Sequence, residues 1–156
     1  MPATYDSLAS TVLSSPAAYI DFTSFSSSYT DLRIVLKARS DRAATVDSCN
    51  MRWNSDSSTN YSQVYIYATD SSFPSGWEAT ASGILLGTCG GTSSSFWANF
   101  VIDIFNYSTS AQKTCLVRDA FSDNSTSGRS MHTMAVRRVG EAITTIRLNP
   151  NFGLVS

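Results

Sequence analysis

The strongest constraint on the fold is an alternation of apolar and polar side chains with a period of two. Within Asp31–Arg39 every second residue is apolar, and the residues between them are mostly charged. The same period returns in Cys49–Asn54 and in Tyr61–Thr69. Successive side chains of a β-strand point to opposite faces of its sheet, so this period predicts half-buried strands. We therefore expect an all-β protein.

More strands are predicted along the rest of the chain, separated by turns rich in Ser, Asp, Asn and Gly. Phe96–Phe105 is apolar on both faces, which predicts a central strand covered on both sides. Short strands with turns at even spacing are typical of a β-sandwich or jelly roll. We expect at most a single helical turn, in Trp77–Gly83. The remaining predicted strands are a loose one at Thr4–Ser14 and clearer ones at Tyr19–Phe22, Gln112–Asp119, Met131–Val139 and Ile143–Leu148, with turns predicted at Asn54–Asn60, Asp70–Gly76, Gly87–Ser95, Asn106–Ala111 and Ser122–Ser130.

The composition agrees with strands and turns rather than helices. Ser (28) and Thr (16) exceed a quarter of the 156 residues, and Asp (10) far outnumbers Glu (2). Ser, Asp and Asn compete for backbone hydrogen bonds and favour turns, whereas Glu and Lys favour exposed helix surfaces. The length suits one domain that buries enough surface to fold without disulfides. We expect a single β-sandwich domain over residues 1–156.

Charge, cysteines and hydropathy exclude several classes of protein. The net charge is −1 without a block of like charge, which argues against nucleic-acid binding and against attachment to a membrane surface. Cys49, Cys89 and Cys115 are odd in number and show no metal-ligand spacing. We expect them to be reduced and structural, as in a protein that folds in a cytoplasm. No signal peptide and no membrane span are expected.

The candidate catalytic residues are few. His132 is the single histidine, and no nucleophile motif surrounds any serine. Glu78 and Glu141 lie beside glycine-containing turns, so we do not expect them to converge as a carboxylate pair. Asp103 stands between apolar residues, and a buried salt bridge with an arginine such as Arg118 is expected for it. We expect no enzyme activity and no cofactor.

Two segments resemble ligand-binding loops only in part. Oxygen-bearing side chains alternate at Asn54, Asp56, Ser58 and Asn60, as at the start of a calcium loop, but the loop glycine and the acidic twelfth ligand are missing. A turn of a β-hairpin is the expected structure, with no metal. Gly87–Thr92 is rich in glycine, lacks a GK[ST] sequence and precedes a strand, so we expect a flexible loop rather than a phosphate site.

Five aromatic residues are the candidate interaction site. On a strand, alternation places the first three on one face, and a surface patch of Tyr and Trp suits a protein interface or a sugar-stacking platform. The alternative is that an adjacent sheet covers them. The candidate interface residues are Tyr61, Tyr65, Tyr67, Phe73 and Trp77.

The order of these segments resembles a small jelly-roll-like domain of tailed-bacteriophage virion proteins. In that family a strand like YTDLRLVL precedes LRFNGD and then TNYSxxxLY, and the corresponding places here are Tyr29–Leu36, Met51–Asp56 and Thr59–Tyr67. The resemblance covers nearly the whole chain. Its later motifs are FVIDIFNYS (Phe100–Ser108), KTCLVRDA (Lys113–Ala120) and AITTIRLNPNFG (Ala142–Gly153).

The resemblance implies a virion structural protein made in the host cytoplasm and assembled with major capsid or tail proteins. By analogy with fibre and decoration proteins it implies a self-associating unit, with a trimer expected. One short domain without a fibre shaft favours a capsid decoration protein or a small tail, fibre or baseplate component. A module that binds a host glycan or receptor is the alternative, and a depolymerase is a third.

The resemblance also implies one more strand after Gly153. This chain stops at Leu154–Ser156, so we expect the tail to be disordered or trimmed, or the last strand to come from a neighbouring copy. A missing strand leaves an unpaired sheet edge, which proteins rarely leave uncovered.

Overall fold

The structure is a computed structural model that describes residues 5–122, 128–151 and 153–154. Within these residues the chain is all β and contains no helix. The described strands are β1 (Ile20–Thr23), β2 (Leu32–Ala38), β3 (Val46–Trp53), β4 (Tyr61–Thr69), β5 (Ser75–Ala81), β6 (Ile84–Gly90), β7 (Ala98–Phe105), β8 (Lys113–Ser122), β9 (Gly128–Arg137) and β10 (Thr145–Pro150).

The strands form two antiparallel sheets. The four-stranded sheet has the order β1-β10-β3-β6, and the six-stranded sheet has the order β2-β7-β8-β9-β4-β5. Strand β6 of the smaller sheet lies against β7, β8 and β9 of the larger one. The two sheets therefore pack face to face, as expected for a β-sandwich.

The core lies between the sheets and is built by the predicted alternation. In β3, Cys49, Met51 and Trp53 are buried, and the residues between them are partly exposed. Trp53 also joins the two sheets, because its backbone N–H donates to the hydroxyl of Tyr61 in β4 at 3.1 Å. The two rings meet edge to face with centroids 6.2 Å apart. The inner faces of both sheets contribute to one buried apolar cluster.

Three of the secondary-structure predictions are wrong. Residues 5–14 form no strand. The expected helical turn at Trp77–Gly83 is occupied mainly by β5, and most of the expected loop after Gly87 lies in β6. The sequence of β5, SGWEATA, is short of β-branched residues, so its strand structure follows from pairing with β4 rather than from local preference. The glycines in β6, ILLGTCG, likewise interrupt the alternation that would predict a strand.

Phe96–Phe105 contains β7, which lies inside the six-stranded sheet between β2 and β8, as predicted for a central strand. Only one of its faces is in the core. Ile102 and Ile104 are buried, whereas Val101, Asp103 and Phe105 are half-buried on the opposite face. The expected cover on both sides is absent among the described residues, since no third layer packs on this face.

The segment after β10 meets the start of the sandwich. Leu154 forms an antiparallel bridge with Ala17 and another with Ser40. The N–H of Ala17 donates to the carbonyl of Leu154 at 2.9 Å, and the N–H of Leu154 donates back at 2.6 Å. The remainder of the expected last strand, at residues 155–156, lies outside the described residues.

Candidate functional site

A row of large apolar side chains crosses the outer face of the six-stranded sheet. Trp77 of β5 pairs with Val64 of β4, Val64 pairs with Met134 of β9, and Met134 pairs with Leu116 of β8. Residues directly opposite one another on adjacent strands share a face, so the four side chains form one continuous line. We call Trp77, Val64, Met134 and Leu116 the apolar row.

The apolar row is open to solvent. The exposed fractions are 75% for Trp77, 52% for Met134, 42% for Leu116 and 41% for Val64. A shallow groove of about 570 Å³ runs along these residues. Ile66 is also 39% exposed on this face, next to His132 in the register. Contiguous exposed apolar patches are typical of interaction surfaces, so the apolar row is the candidate site.

The row ends in an ion-paired carboxylate. Leu116 pairs with Asp103 of β7, and Asp103 pairs with Arg33 of β2. The Arg33 Nε lies 2.6 Å from Asp103 Oδ1, and the Arg118 Nη2 lies 2.7 Å from Asp103 Oδ2. The Arg33 guanidinium, and then Arg118, hold the pKa of Asp103 below its usual value. The predicted pair with Arg118 is confirmed, but it lies on the solvent side of the sheet instead of in the core.

The structure does not bring the five predicted aromatic residues together. Tyr61 is fully buried in the core, and Tyr65 and Tyr67 follow it on the inner side of β4. Phe73 lies between β4 and β5 and is 70% exposed. Of the five, only Trp77 belongs to the apolar row, because the face of β4 that is exposed carries Val64 and Ile66 rather than the tyrosines.

The two remaining tyrosines already have partners within the chain. The ring of Tyr65 lies directly over Gly76, where an added Cβ would come within 2.4 Å of its hydroxyl. Tyr67 stacks beside Tyr65 with centroids 6.5 Å apart, and the Arg129 guanidinium lies 4.5 Å from the Tyr67 ring centroid. These rings cover a glycine and an arginine, so they are less available to a sugar or a partner than the apolar row is.

The loop with alternating oxygen ligands supports the fold through hydrogen bonds. Asp56 Oδ1 accepts from the Ser58 N–H at 2.9 Å, and Oδ2 accepts from the Asn60 side chain and from Arg137 Nε at 3.0 Å each. Burial acts to raise the pKa of Asp56, but these hydrogen bonds outweigh it and lower the pKa to about 2. The loop joins β3 and β4, which belong to different sheets, so it is not the expected β-hairpin.

Arg137 is the centre of an ion-pair network whose burial the sequence pattern did not indicate. Its side chain is 3% exposed and its Nη2 lies 2.6 Å from Glu141 Oε1 and 3.0 Å from Asp56 Oδ2. Asn54 donates to the same Glu141 oxygen at 3.0 Å. Lys113 is also buried, and its ammonium donates to the carbonyls of Thr109 and Ala111. Charged side chains at the end of a strand are usually exposed to solvent, so the sequence does not predict the burial of Arg137 and Lys113.

Asp119 of β8 is a buried acid that lies between the sheets. It is 3% exposed, and its Oδ2 accepts a hydrogen bond from the Thr88 N–H at 3.0 Å. Gly87 is required opposite it: its φ is +137°, and a Cβ there would stand 2.1 Å from Asp119 Oδ2. Burial raises the pKa of Asp119 to about 6. Alternation along β8 places Asp119 on the inner face, and this pattern could have predicted its burial.

The other candidate catalytic residues do not converge. His132 is exposed on the outer face of β9. Glu78 accepts a hydrogen bond from Gln63, and Glu141 belongs to the Arg137 network. Within the part of the chain that the structure describes, no group of three or more His, Cys, Asp or Glu is arranged to hold a metal ion. The three cysteines are free and buried.

Comparison with family models, with curated proteins and with solved structures finds no match for this chain. Among the described residues there is no helix of the length and hydropathy that a membrane crossing requires.

Proposed function

We propose that this chain is a non-enzymatic structural protein of a tailed-phage virion, a β-sandwich unit that self-associates through the outer face of its six-stranded sheet. The observation that carries the proposal is the apolar row, with Trp77 at its exposed end. Interfaces are enriched in aromatic residues and methionine at their centre and are polar at their rim. Trp77 and Met134 are the aromatic residue and the methionine of the proposed interface, and the Arg33–Asp103–Arg118 ion pairs are its polar rim.

The order of strands supports the resemblance to the phage domain. The three segments that carry it most strongly correspond to β2, to the end of β3 and to β4. Successive strands pass repeatedly between the two sheets, from β1 to β2 and again from β2 to β3. A jelly roll has this kind of path, and we propose that this sandwich is a jelly roll related to the phage domain. We further propose a trimer on the particle surface, joined to major capsid or tail proteins.

Binding of a host glycan is the second candidate function, because Trp77 is 75% exposed and Phe73 is 70% exposed. A sugar site combines an aromatic platform with polar groups that hydrogen-bond the hydroxyls. Along the row the neighbours of Trp77 are Val64 and Met134, which offer no such groups. This surface therefore suits an apolar protein partner better than a carbohydrate.

Quantitative mass spectrometry of gradient-purified particles tests the proposal. The phage that encodes this chain should carry it at a fixed copy number relative to its major capsid protein, and washing with moderate salt should not remove it. Recovery only in the soluble lysate fraction would contradict the proposal. Quenching of Trp77 fluorescence by a host glycan in wild-type protein, with no effect in a Trp77→Ala variant, would favour the second function.

A further inference from the structure

The sandwich is open along one side. Strands β1 and β2 are the end strands of the two sheets, and the inner face of β1 and both faces of β2 line a common cavity of about 1130 Å³. Phe22, Leu32, Ile34 and Leu36 on these faces are only half-buried although they pack against the core cluster. An apolar cleft bordered by two strand edges that no described strand pairs with offers both hydrophobic surface and backbone groups for a further strand.

The segment 5–13 covers this cleft without being paired to it. Its residues line the same cavity, yet they form no strand, and residues 5–16 make no backbone hydrogen bond within the described chain. Two side-chain hydrogen bonds hold its start: Arg33 Nη1 donates to the Tyr5 hydroxyl at 2.7 Å, and the Tyr29 hydroxyl donates to Asp6 at 3.0 Å. The Arg33 guanidinium also lies 5.1 Å from the Tyr5 ring centroid.

Two apolar side chains of this segment are largely exposed in a single copy. Val12 is 94% exposed and Tyr5 is 64% exposed. A Ser14-Ser15-Pro16 link joins the segment to the sandwich. Proline fixes φ and restricts the preceding residue to extended conformations, so this link can direct the segment away from its own copy.

We infer that residues 5–13 are an exchangeable arm that fills the β1–β2 cleft of a second copy of this chain. Identical copies offer identical clefts, so an exchanged arm keeps the Tyr5 and Asp6 contacts and loses little contact energy. Free strand edges beside an apolar cleft suit an added polypeptide strand better than a lipid chain, because only a polypeptide can pair with the edge. The inference rests on the self-association proposed above, but its contact is the β1–β2 cleft, which meets the polar rim of the apolar row at Arg33.

Photo-crosslinking between isotopically distinct copies tests this inference. Copies with natural nitrogen and a benzoyl-phenylalanine in place of Tyr5 are mixed with ¹⁵N-labelled copies that lack the probe, and the two are unfolded, refolded together and irradiated. Mass spectrometry then identifies the copy that donates the β2 peptide. If arms are exchanged at random in an equal mixture of the two kinds of copy, about half of the cross-links to β2 should carry ¹⁵N.

Cross-links confined to unlabelled β2 peptides would overturn the inference, whatever the mass of the protein in solution. Light scattering on the same sample separates the two proposals. Association without ¹⁵N cross-links contradicts exchange of the arm and leaves the apolar row as the contact between copies. Val64→Asp copies, which are expected to be monomeric, are the control: Val64 lies on the outer face and does not line the cleft, so their Tyr5 probe should still cross-link to β2, but only within one copy.

Discussion

Val64 and Trp77 are direct partners across β4 and β5, and both point to the side of the six-stranded sheet that faces solvent. The pair begins a line that continues through Met134 to Leu116. Each of these residues would normally be expected inside a sandwich. Their presence outside it is the main reason for proposing that this face is an interface.

Trp77 should report the association directly. Trp53 is buried and Trp97 is partly buried, so Trp77 is the tryptophan most exposed to solvent among the three. Burial of its ring in an interface moves the emission to shorter wavelength, and dilution should reverse that shift. A Trp77→Phe variant should show no shift with concentration. An equal shift in the variant would place the contact elsewhere.

The two arginine–aspartate pairs should differ in their importance to stability. Arg137→Met leaves Asp56, which is 10% exposed, without its cation in a buried site. Removal of one partner of a buried pair costs about 3–5 kcal/mol. Arg118→Met is the matched control, because Arg118 is 49% exposed and Asp103 keeps Arg33. Its expected cost is below about 1 kcal/mol.

Chemical denaturation of the wild type and both variants measures these differences in the free energy of unfolding. Similar losses in the free energy of unfolding for Arg137→Met and Arg118→Met would contradict the greater importance of the buried pair.

Asp119 should make the protein less stable as the pH rises. Its pKa of about 6 in the folded state lies above the usual 3.8, so the folded state binds the proton more tightly than the unfolded chain does. Its contribution is complete below about pH 4 and is lost by about pH 6. A difference of roughly two pH units corresponds to about 3 kcal/mol in the free energy of unfolding.

An Asp119→Asn variant tests this effect, since the amide does not titrate. It should match the wild type near pH 4 and exceed it at pH 7. Asp103→Asn is the control of opposite sign: the lowered pKa of Asp103 gives stability that is present above pH 3.8 and lost as the pH falls. A stability profile between pH 4 and 6 that is unchanged in Asp119→Asn would contradict the assignment.

The cysteines should resist thiol reagents until the chain unfolds. All three are buried, and burial raises the pKa of Cys115 to about 12. A hydrogen bond with Cys89, together with burial, raises the pKa of Cys49 well above its usual value. Thiolates are the reactive form, so the native protein should show no rapid labelling at neutral pH. Denaturant should release three thiols per chain, and a thiol that reacts at once in native buffer would contradict this.

The sequence was sufficient for the strands whose own side chains alternate. Leu32, Ile34 and Leu36 face inward in β2 as predicted, with Val35 exposed at 76% between them. It was insufficient where a strand depends on its neighbour. Gly76 in β5 is covered by Tyr65 from β4, and that contact is a property of pairing between strands.

The same dependence on neighbouring strands explains why the sequence predicts the candidate site only in part. Alternation in β4 divides Tyr61, Tyr65 and Tyr67 from Val64 and Ile66, but it does not say which set faces the second sheet. The sequence leaves open whether the aromatic set is an exposed patch or is covered by an adjacent sheet, and the structure buries Tyr61 completely. Trp77 was identified correctly as exposed, whereas Met134 and Leu116 became part of a surface only through the register of β8, β9 and β4.

Two valines on opposite outer faces allow the most direct test of the apolar row as the interface. Val64 in the row is 41% exposed, and Val46 at the start of β3 on the other sheet is 38% exposed. Light scattering over a range of concentrations should find the wild type and Val46→Asp associated, with a trimer mass, and Val64→Asp monomeric. A charge at the centre of an apolar contact loses at least 1.4 kcal/mol, which is about tenfold or more in the dissociation constant. Equal masses for Val64→Asp and wild type, or a monomeric wild type at every concentration, would contradict the account.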